Sequence, residues 1–259
     1  MYPNVPRNEV SAARLLRCED DVVRGLVDVV GSVEYPGRGL VLGRDREGVA
    51  FAAYWLTGRT AASQGRKLVL SDDSVVVQDV SGASTDDLRH YTAAVRGDGW
   101  VVVGNGTQVS ELAVARTAGR DLQLALRDHA YEPDPPIRTP RIFATASTDG
   151  TDLIVGSARS VPGASQELVE HPSLFVPELP PATAVHVSTY AGTAADVITS
   201  GYPEVVGIGS GWQDLADGVW NALDPSLRVA LFVVPLAAPF SGADHRSETR
   251  TSTEYWSAR

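Results

Sequence analysis

The strand-like segments of this chain are apolar on both faces. "GLVLGR" (39–44), "VAFAAYWL" (49–56), "GWVVVGNG" (99–106) and "RVALFVVP" (228–235) carry few polar residues. A strand with one face in water would alternate instead. Sheets made from such strands must be covered on both sides. Their order along the chain restricts the cover. Strands come in a run, paired helical segments follow, and strands then resume. That order favours α+β layers over a doubly wound α/β sheet. With 259 residues, 43% of them hydrophobic, the chain can fill one large core or two small ones. No repeat or break in composition divides it, so one main domain is expected.

Asn8 can cap a helix running through about residue 30, with Leu15, Leu16, Val22, Val23, Leu26, Val27 and Val30 at helical spacing. "DREG" between the first two strands reads as a hairpin turn. "RKLVLS" and "SVVVQDV" pair around Asp72 and Asp73. Helices are predicted over 109–117 and 121–130, separated by Gly119. "YEPDPPIRTP" (131–140) holds four prolines and can be neither helix nor central strand. "RIFATAS" (141–147) and "DLIVGSA" (152–158) are strands, and 159–182 reads as a long polar loop. Then come a strand "AVHVSTYA", a short helix "GTAADVITSG", a strand "EVVGIG", a helix "WQDLADGVWNAL" and the last strand. This divides the chain into a helical extension (1–34), a main domain (35–238) and a polar, mobile tail (239–259).

A formal net charge of −10 opposes general binding to nucleic acid, which needs a basic face. A local arginine cluster can still hold a small anion. No apolar run is long enough to span a membrane, and the N-terminal residues have no apolar signal core. The single Cys18 excludes an internal disulfide and a cysteine-rich zinc site, which fits a cytoplasmic protein. Walker, G-x-G-x-x-G and G-x-S-x-G motifs are absent from the expected places, and the five histidines lack metal-ligand spacing. His186, in an apolar strand, reads as a satisfied core histidine.

The remaining chemistry sits at strand ends and in tight turns. "VAFAAYWLTGRTAASQGRKLVL" (49–70) places Arg59, Arg66 and several hydroxyls between two apolar strands. Arg38 follows "YPG", Tyr91 precedes a strand ending in "GNG" with Asn105 at its tip, Glu132 and Arg141 bracket the proline-rich turn, and "STY" (188–190) ends a strand. Each has a plainer reading. Arg38, Arg44 and Arg66 could be solvated, Tyr54 could be core, and Asn105 could supply a left-handed turn.

Taken in register, these motifs are similar to those of the archaeal-type inosine monophosphate (IMP) cyclohydrolases. "YPGRGLVLGRDREGVAFAAYWLTGR" resembles that family's opening: Tyr-x-Gly-Arg, a Val-Gly-Arg-like turn, then Ala-Tyr followed by an arginine. "GNGTQV" (104–109), "YEPDPPIRTPRI" (131–142) and "VHVSTY" (185–190) resemble its later segments. The likeness covers about residues 35–235. It implies a four-layer αββα sandwich like that of the N-terminal-nucleophile hydrolases, without their self-processing. It further implies closure of the purine ring, from formamidoimidazole-carboxamide ribonucleotide to inosine monophosphate and water, with no cofactor and no metal. By the same analogy Glu132 and Tyr91 handle protons and Arg59 polarises the formyl or carboxamide oxygen. Arg38, Arg66 and Arg141 are phosphate candidates, and Tyr54 and Asn105 complete the substrate-binding set. A neighbouring arginine is expected to hold Glu132 ionised. The family's Ser-Ser-Arg-Ser is here Thr57-Gly58-Arg59-Thr60, which keeps the arginine and changes its neighbours.

The expected partner is a small-molecule purine nucleotide, with no nucleic acid and no membrane; a homo-oligomer is left open. The alternatives are a non-catalytic purine-nucleotide-binding protein on the same fold, and a related amide hydrolase acting on another substrate. An N-terminal-nucleophile hydrolase needs a freed Cys, Ser or Thr, and Cys18 in a predicted helix and Thr60 in a loop suit that poorly. A structural or docking module is the third alternative.

Overall fold

The computed structural model describes residues 23–80, 88–163 and 168–250. The first part of the chain forms α1 (Leu26–Gly31), β1 (Arg38–Arg44), β2 (Ala50–Thr57), α2 (Ala61–Gln64), β3 (Arg66–Leu70), β4 (Ser74–Asp79), β5 (Tyr91–Gly97) and β6 (Trp100–Gly104). The middle adds α3 (Gln108–Thr117), α4 (Leu122–Leu126), β7 (Arg141–Ser147), β8 (Thr151–Ser160), β9 (Val169–Glu170) and β10 (Ser173–Glu178). The last part is β11 (Thr183–Ser188), β12 (Glu204–Gly207), α5 (Trp212–Ala222), β13 (Arg228–Pro235) and β14 (Asp244–Ser247).

These strands form two antiparallel sheets. The first has the order β12-β11-β1-β2-β13-β14, and the second β10-β8-β7-β6-β5-β4-β3, with β9 also on β8. Side chains alternate across a strand, and here each parity has its own partner. Leu40, Leu42, Ala52, Tyr54, Leu56 and Phe232 of the first sheet meet Val75, Val77, Val101, Val103, Ile142 and Ala144 of the second. The opposite parity, Val41, Phe51, Ala53, Trp55, Leu231 and Val233, packs under α1 and α5. On the far side Val102 and Phe143 lie under Val109, Leu112 and Ala115 of α3 and Leu122 and Leu126 of α4. The layers are therefore helix, sheet, sheet, helix. This explains the doubly apolar strands: each fully buried aliphatic or aromatic side chain stabilises by about 1.5–3 kcal/mol, and both faces contribute.

The "DREG" hairpin is as expected, with Arg38 opposite Leu56 and Arg44 opposite Ala50. Gly39 faces Trp55 across this pair, and a Cβ there would stand 2.1 Å from the indole. The ring lies flat over the glycine and stacks on His186, with centroids 5.5 Å apart. His186 Nδ1 reaches Glu204 at 3.2 Å, but among the described residues buried Nε2 has no partner, so there this histidine is only half satisfied.

Several expectations are corrected. Of the helix expected over about 8–30, the part before residue 23 lies outside the described residues; among the described residues the helix starts at Leu26, because Gly25 is extended and bridges to Gly207. The helix expected over 121–130 is Leu122–Leu126, capped by the Asp121 side chain. The loop assigned to 159–182 contains β9 and β10. β10 pairs only on one side, and its exposed Ser173, Phe175 and Pro177 hide the strand pattern. Residues 192–201 are not helical. β-branched Val197, Ile198 and Thr199 favour extended backbone, and bridges from Gly192 to Tyr35 and from Thr199 to Tyr190 hold them. Residues 239–250 are not a loose tail: Phe240 is buried edge-on against Phe232, and β14 pairs with β13.

Candidate active site

β2 belongs to the first sheet and β3 to the second. The polar stretch between them is thus the crossing from one sheet to the other. Thr60 caps α2 reciprocally with Ser63, which closes the short crossing. Gln64 Nε2 donates to the Gly58 and Ser226 carbonyls. Arg66 donates from Nε to Ser63 O at 2.8 Å and from Nη2 to Thr57 O at 3.1 Å. A cavity of about 280 Å³ opens beside this crossing. Arg38, Arg59, Arg66 and Arg89 line it, with Glu132, Asp134, Thr139 and Tyr190 opposite.

The buried centre is an ion pair. Arg38 Nη2 stands 2.6 Å from Glu132 Oε1, with side chains only 10% and 3% exposed. Gly37 delivers Arg38 there. It has φ 71, and a Cβ on it would fall 2.2 Å from Thr189 Oγ1, so a glycine is needed. Asn105 fixes the carboxylate from behind. Its Nδ2 donates to Glu132 Oε1 at 3.2 Å and to Pro140 O at 3.0 Å. Its Oδ1 accepts from Ile142 N at 2.7 Å and Gln108 Nε2 at 3.0 Å. The amide is fully occupied, its backbone is not left-handed, and it does not line the cavity.

Burial raises the Glu132 carboxyl above its ordinary value, and Arg38, by charge and by hydrogen bond, opposes this without cancelling it. The arginine expected beside Glu132 is therefore present, but removal from water outweighs it. Burial also works to lower the Arg38 guanidinium, yet Glu132, then Tyr91, Tyr190 and Tyr54, hold it well above its ordinary value.

Tyr54 and Tyr91 lie behind the cavity wall, with hydroxyls 2.7 Å apart. Burial, then Tyr91, pushes the Tyr54 phenol well up, and burial also raises Tyr91 against the pull of Arg38 and Arg66. Both are neutral phenols, and either can donate across the pair. Arg141, at the start of β7, sits beside Gly106 and outside the cavity lining; its charge lowers Glu132.

The structure thus brings Arg38, Arg59, Arg66 and Glu132 to one cavity, and sets Tyr54, Tyr91, Asn105 and Arg141 in the shell around it. Asp134, Thr139 and Arg89 were not singled out from sequence, and Tyr190 was noted only within "STY". Asp134 and Thr139 lie within the motif that supplied Glu132, and that adjacency was the available signal. Among the described residues, no group of three or more His, Cys, Asp or Glu could hold a metal ion, and no helix is long and apolar enough to cross a membrane.

The chain is thus a helix-covered double sheet with a buried carboxylate–guanidinium pair in an arginine-lined cavity. Residues 35–237 match the family described as IMP cyclohydrolase-like protein, and the chain belongs to that family. No curated protein matches it.

Proposed function

We propose that the protein closes the purine ring, converting formamidoimidazole-carboxamide ribonucleotide to inosine monophosphate and water. The observation that carries this reading is the Arg38–Glu132 pair at 2.6 Å inside the cavity of a chain from this family. In the reaction the carboxamide nitrogen attacks the formyl carbon. The formyl oxygen leaves as water, taking one proton from the carboxamide nitrogen and one from the formamido nitrogen. Such a site needs a proton acceptor, a donor toward the developing oxyanion and an anchor for the phosphate. Holding both groups of one ring in the reactive rotamer adds further advantage.

Glu132 is the proton acceptor: both donors fall on Oε1 and neither engages Oε2. Neutral Tyr91, whose hydroxyl pairs with that of Tyr54, is a supporting donor. The depth of the arginines favours a division of roles opposite to that drawn from sequence. Arg38 lies at the buried end beside Glu132 and polarises the reacting oxygen. Arg59, partly exposed and bonded to Ala194 O at 3.3 Å, anchors the phosphate near the mouth. The helix–sheet–sheet–helix scaffold fits the N-terminal-nucleophile hydrolase kind. Self-processing at Thr60 is not part of the proposal, since that hydroxyl caps α2. The test is incubation of the purified chain with the formamido ribonucleotide while following absorbance for ring closure. Tight binding of inosine monophosphate without turnover would instead support a non-catalytic nucleotide-binding protein.

A further inference from the structure

The cavity wall that carries Glu132 also carries a one-way chain of hydrogen bonds. Asp134 accepts twice from Thr139: from the backbone N at 2.8 Å and from Oγ1 at 2.5 Å. Thr139 Oγ1 is also in short contact with the Tyr190 hydroxyl. A carboxylate accepts and has no hydrogen to give, so the hydrogen in the 2.5 Å contact belongs to Thr139. Threonine has only one such hydrogen. The contact between Thr139 and Tyr190 must then use the phenolic hydrogen, with Tyr190 donating. Thr139 and Tyr190 are both buried, and all three residues line the cavity. Tyr190 is further held by stacking on Tyr35, with centroids 5.4 Å apart. Its hydrogen is turned into the wall, and only lone pairs remain for a ligand.

We infer that Asp134, acting through Thr139, sets the Tyr190 hydroxyl as a pure acceptor, and that Tyr190 selects ligands presenting an N–H of the base at that point. Tyr190 is the specificity-determining residue; Asp134 and Thr139 are positioning residues. The identity of the ligand rests on the purine-nucleotide reading. Inosine monophosphate and the formamido ribonucleotide both carry such an N–H, whereas adenosine monophosphate offers a bare ring nitrogen at the corresponding position.

Asp134→Asn tests the direction. Asparagine keeps an oxygen for Thr139 N and turns an NH₂ toward Thr139 Oγ1. That takes away the acceptor of the Thr139 hydrogen and frees it to donate to Tyr190, which turns the phenolic hydrogen into the cavity. Calorimetric Kd values for inosine and adenosine monophosphates are measured on the full chain. The preference for inosine monophosphate should fall about 10-fold in Asp134→Asn and about 2- to 10-fold in Thr139→Val, the worth of a neutral hydrogen bond. Thr139→Ser, which keeps the hydroxyl, should restore it. An unchanged preference in a folded Asp134→Asn, or a Thr139→Ser as impaired as Thr139→Val, overturns the inference. A ligand-free readout separates it from the purine reading. The ¹³Cζ resonance of Tyr190, assigned by its loss in Tyr190→Phe, should move in Asp134→Asn and Thr139→Val and return in Thr139→Ser. If the wild-type chain binds neither nucleotide, the purine reading falls, and this resonance still decides whether Asp134 orients Tyr190.

Discussion

Replacing Glu132 by glutamine separates chemistry from architecture. Oε1 of Glu132 receives a 2.6 Å bond from Arg38 and a 3.2 Å bond from Asn105. Glutamine keeps that oxygen, so both donors retain an acceptor and only the charge is lost. A hydrogen bond to an ionised partner is worth about 1.5–3 kcal/mol, against about 1 kcal/mol for a neutral one. The weaker bond costs at most about 0.5–2 kcal/mol, and the relief of burying a neutral amide in place of a carboxylate whose burial outweighs Arg38 offsets part of it. At about 2–4 °C per kcal/mol for a chain near this size, Tm should fall by no more than roughly 8 °C. Turnover should fall by about 100- to 10,000-fold, the range of general acid–base contributions. That corresponds to about 3–5 kcal/mol of barrier at about 1.4 kcal/mol per tenfold. Inosine monophosphate affinity should change little. The assay is ring closure by absorbance at 25 °C, with calorimetry for product binding and a melt to confirm folding. Turnover within about threefold of wild type, with product binding intact, would refute the assignment of Glu132 as proton acceptor.

The raised Glu132 carboxyl has a signed consequence for pH. The folded protein holds this proton more tightly than the unfolded chain, so the group adds stability below the ordinary carboxylate value and loses it as pH rises through the raised one; denaturant titrations across that range should show this slope in wild type and not in Glu132→Gln. Arg59→Ala should raise KM about 10-fold or more with kcat nearly unchanged, since a charge-assisted phosphate contact is lost without touching the reacting groups; a fall in kcat alone would restore Arg59 to the oxyanion. Arg66→Ala should instead lower stability by about 1–3 kcal/mol, because the Ser63 and Thr57 carbonyls lose their donor; an unchanged melt would show Arg66 to be a ligand contact only. Tyr54→Phe alone should cost about 1–3 kcal/mol by stranding the Tyr91 hydroxyl, and the double change to phenylalanine less than the sum; strict additivity in the melts would show that the 2.7 Å pair is not coupled.

What could be read along the chain was whatever its local pattern overdetermines. The β1–β2 hairpin was legible because turn residues sit between two apolar runs whose parities both find cover, Leu40 and Leu42 on one face and Val41 on the other. β13 and α5 were legible for the same reason. β10 and β14 were not, because an edge strand is wet on one side and shows the polarity of a loop. Residue types at the site were likewise readable in their short motifs, but their pairing was not. Arg38 and Glu132 are 94 residues apart, and Asn105 and Glu132 are 27 apart. Only the packing of one sheet on the other carries β1 to the proline-rich turn. That packing put Arg38 against the carboxylate and left Arg141 outside the cavity. It also decided the electrostatics: sequence distance says an arginine can lower a carboxyl, while removal from water, which exists only once both sheets close over Glu132, raises it further than the arginine brings it down.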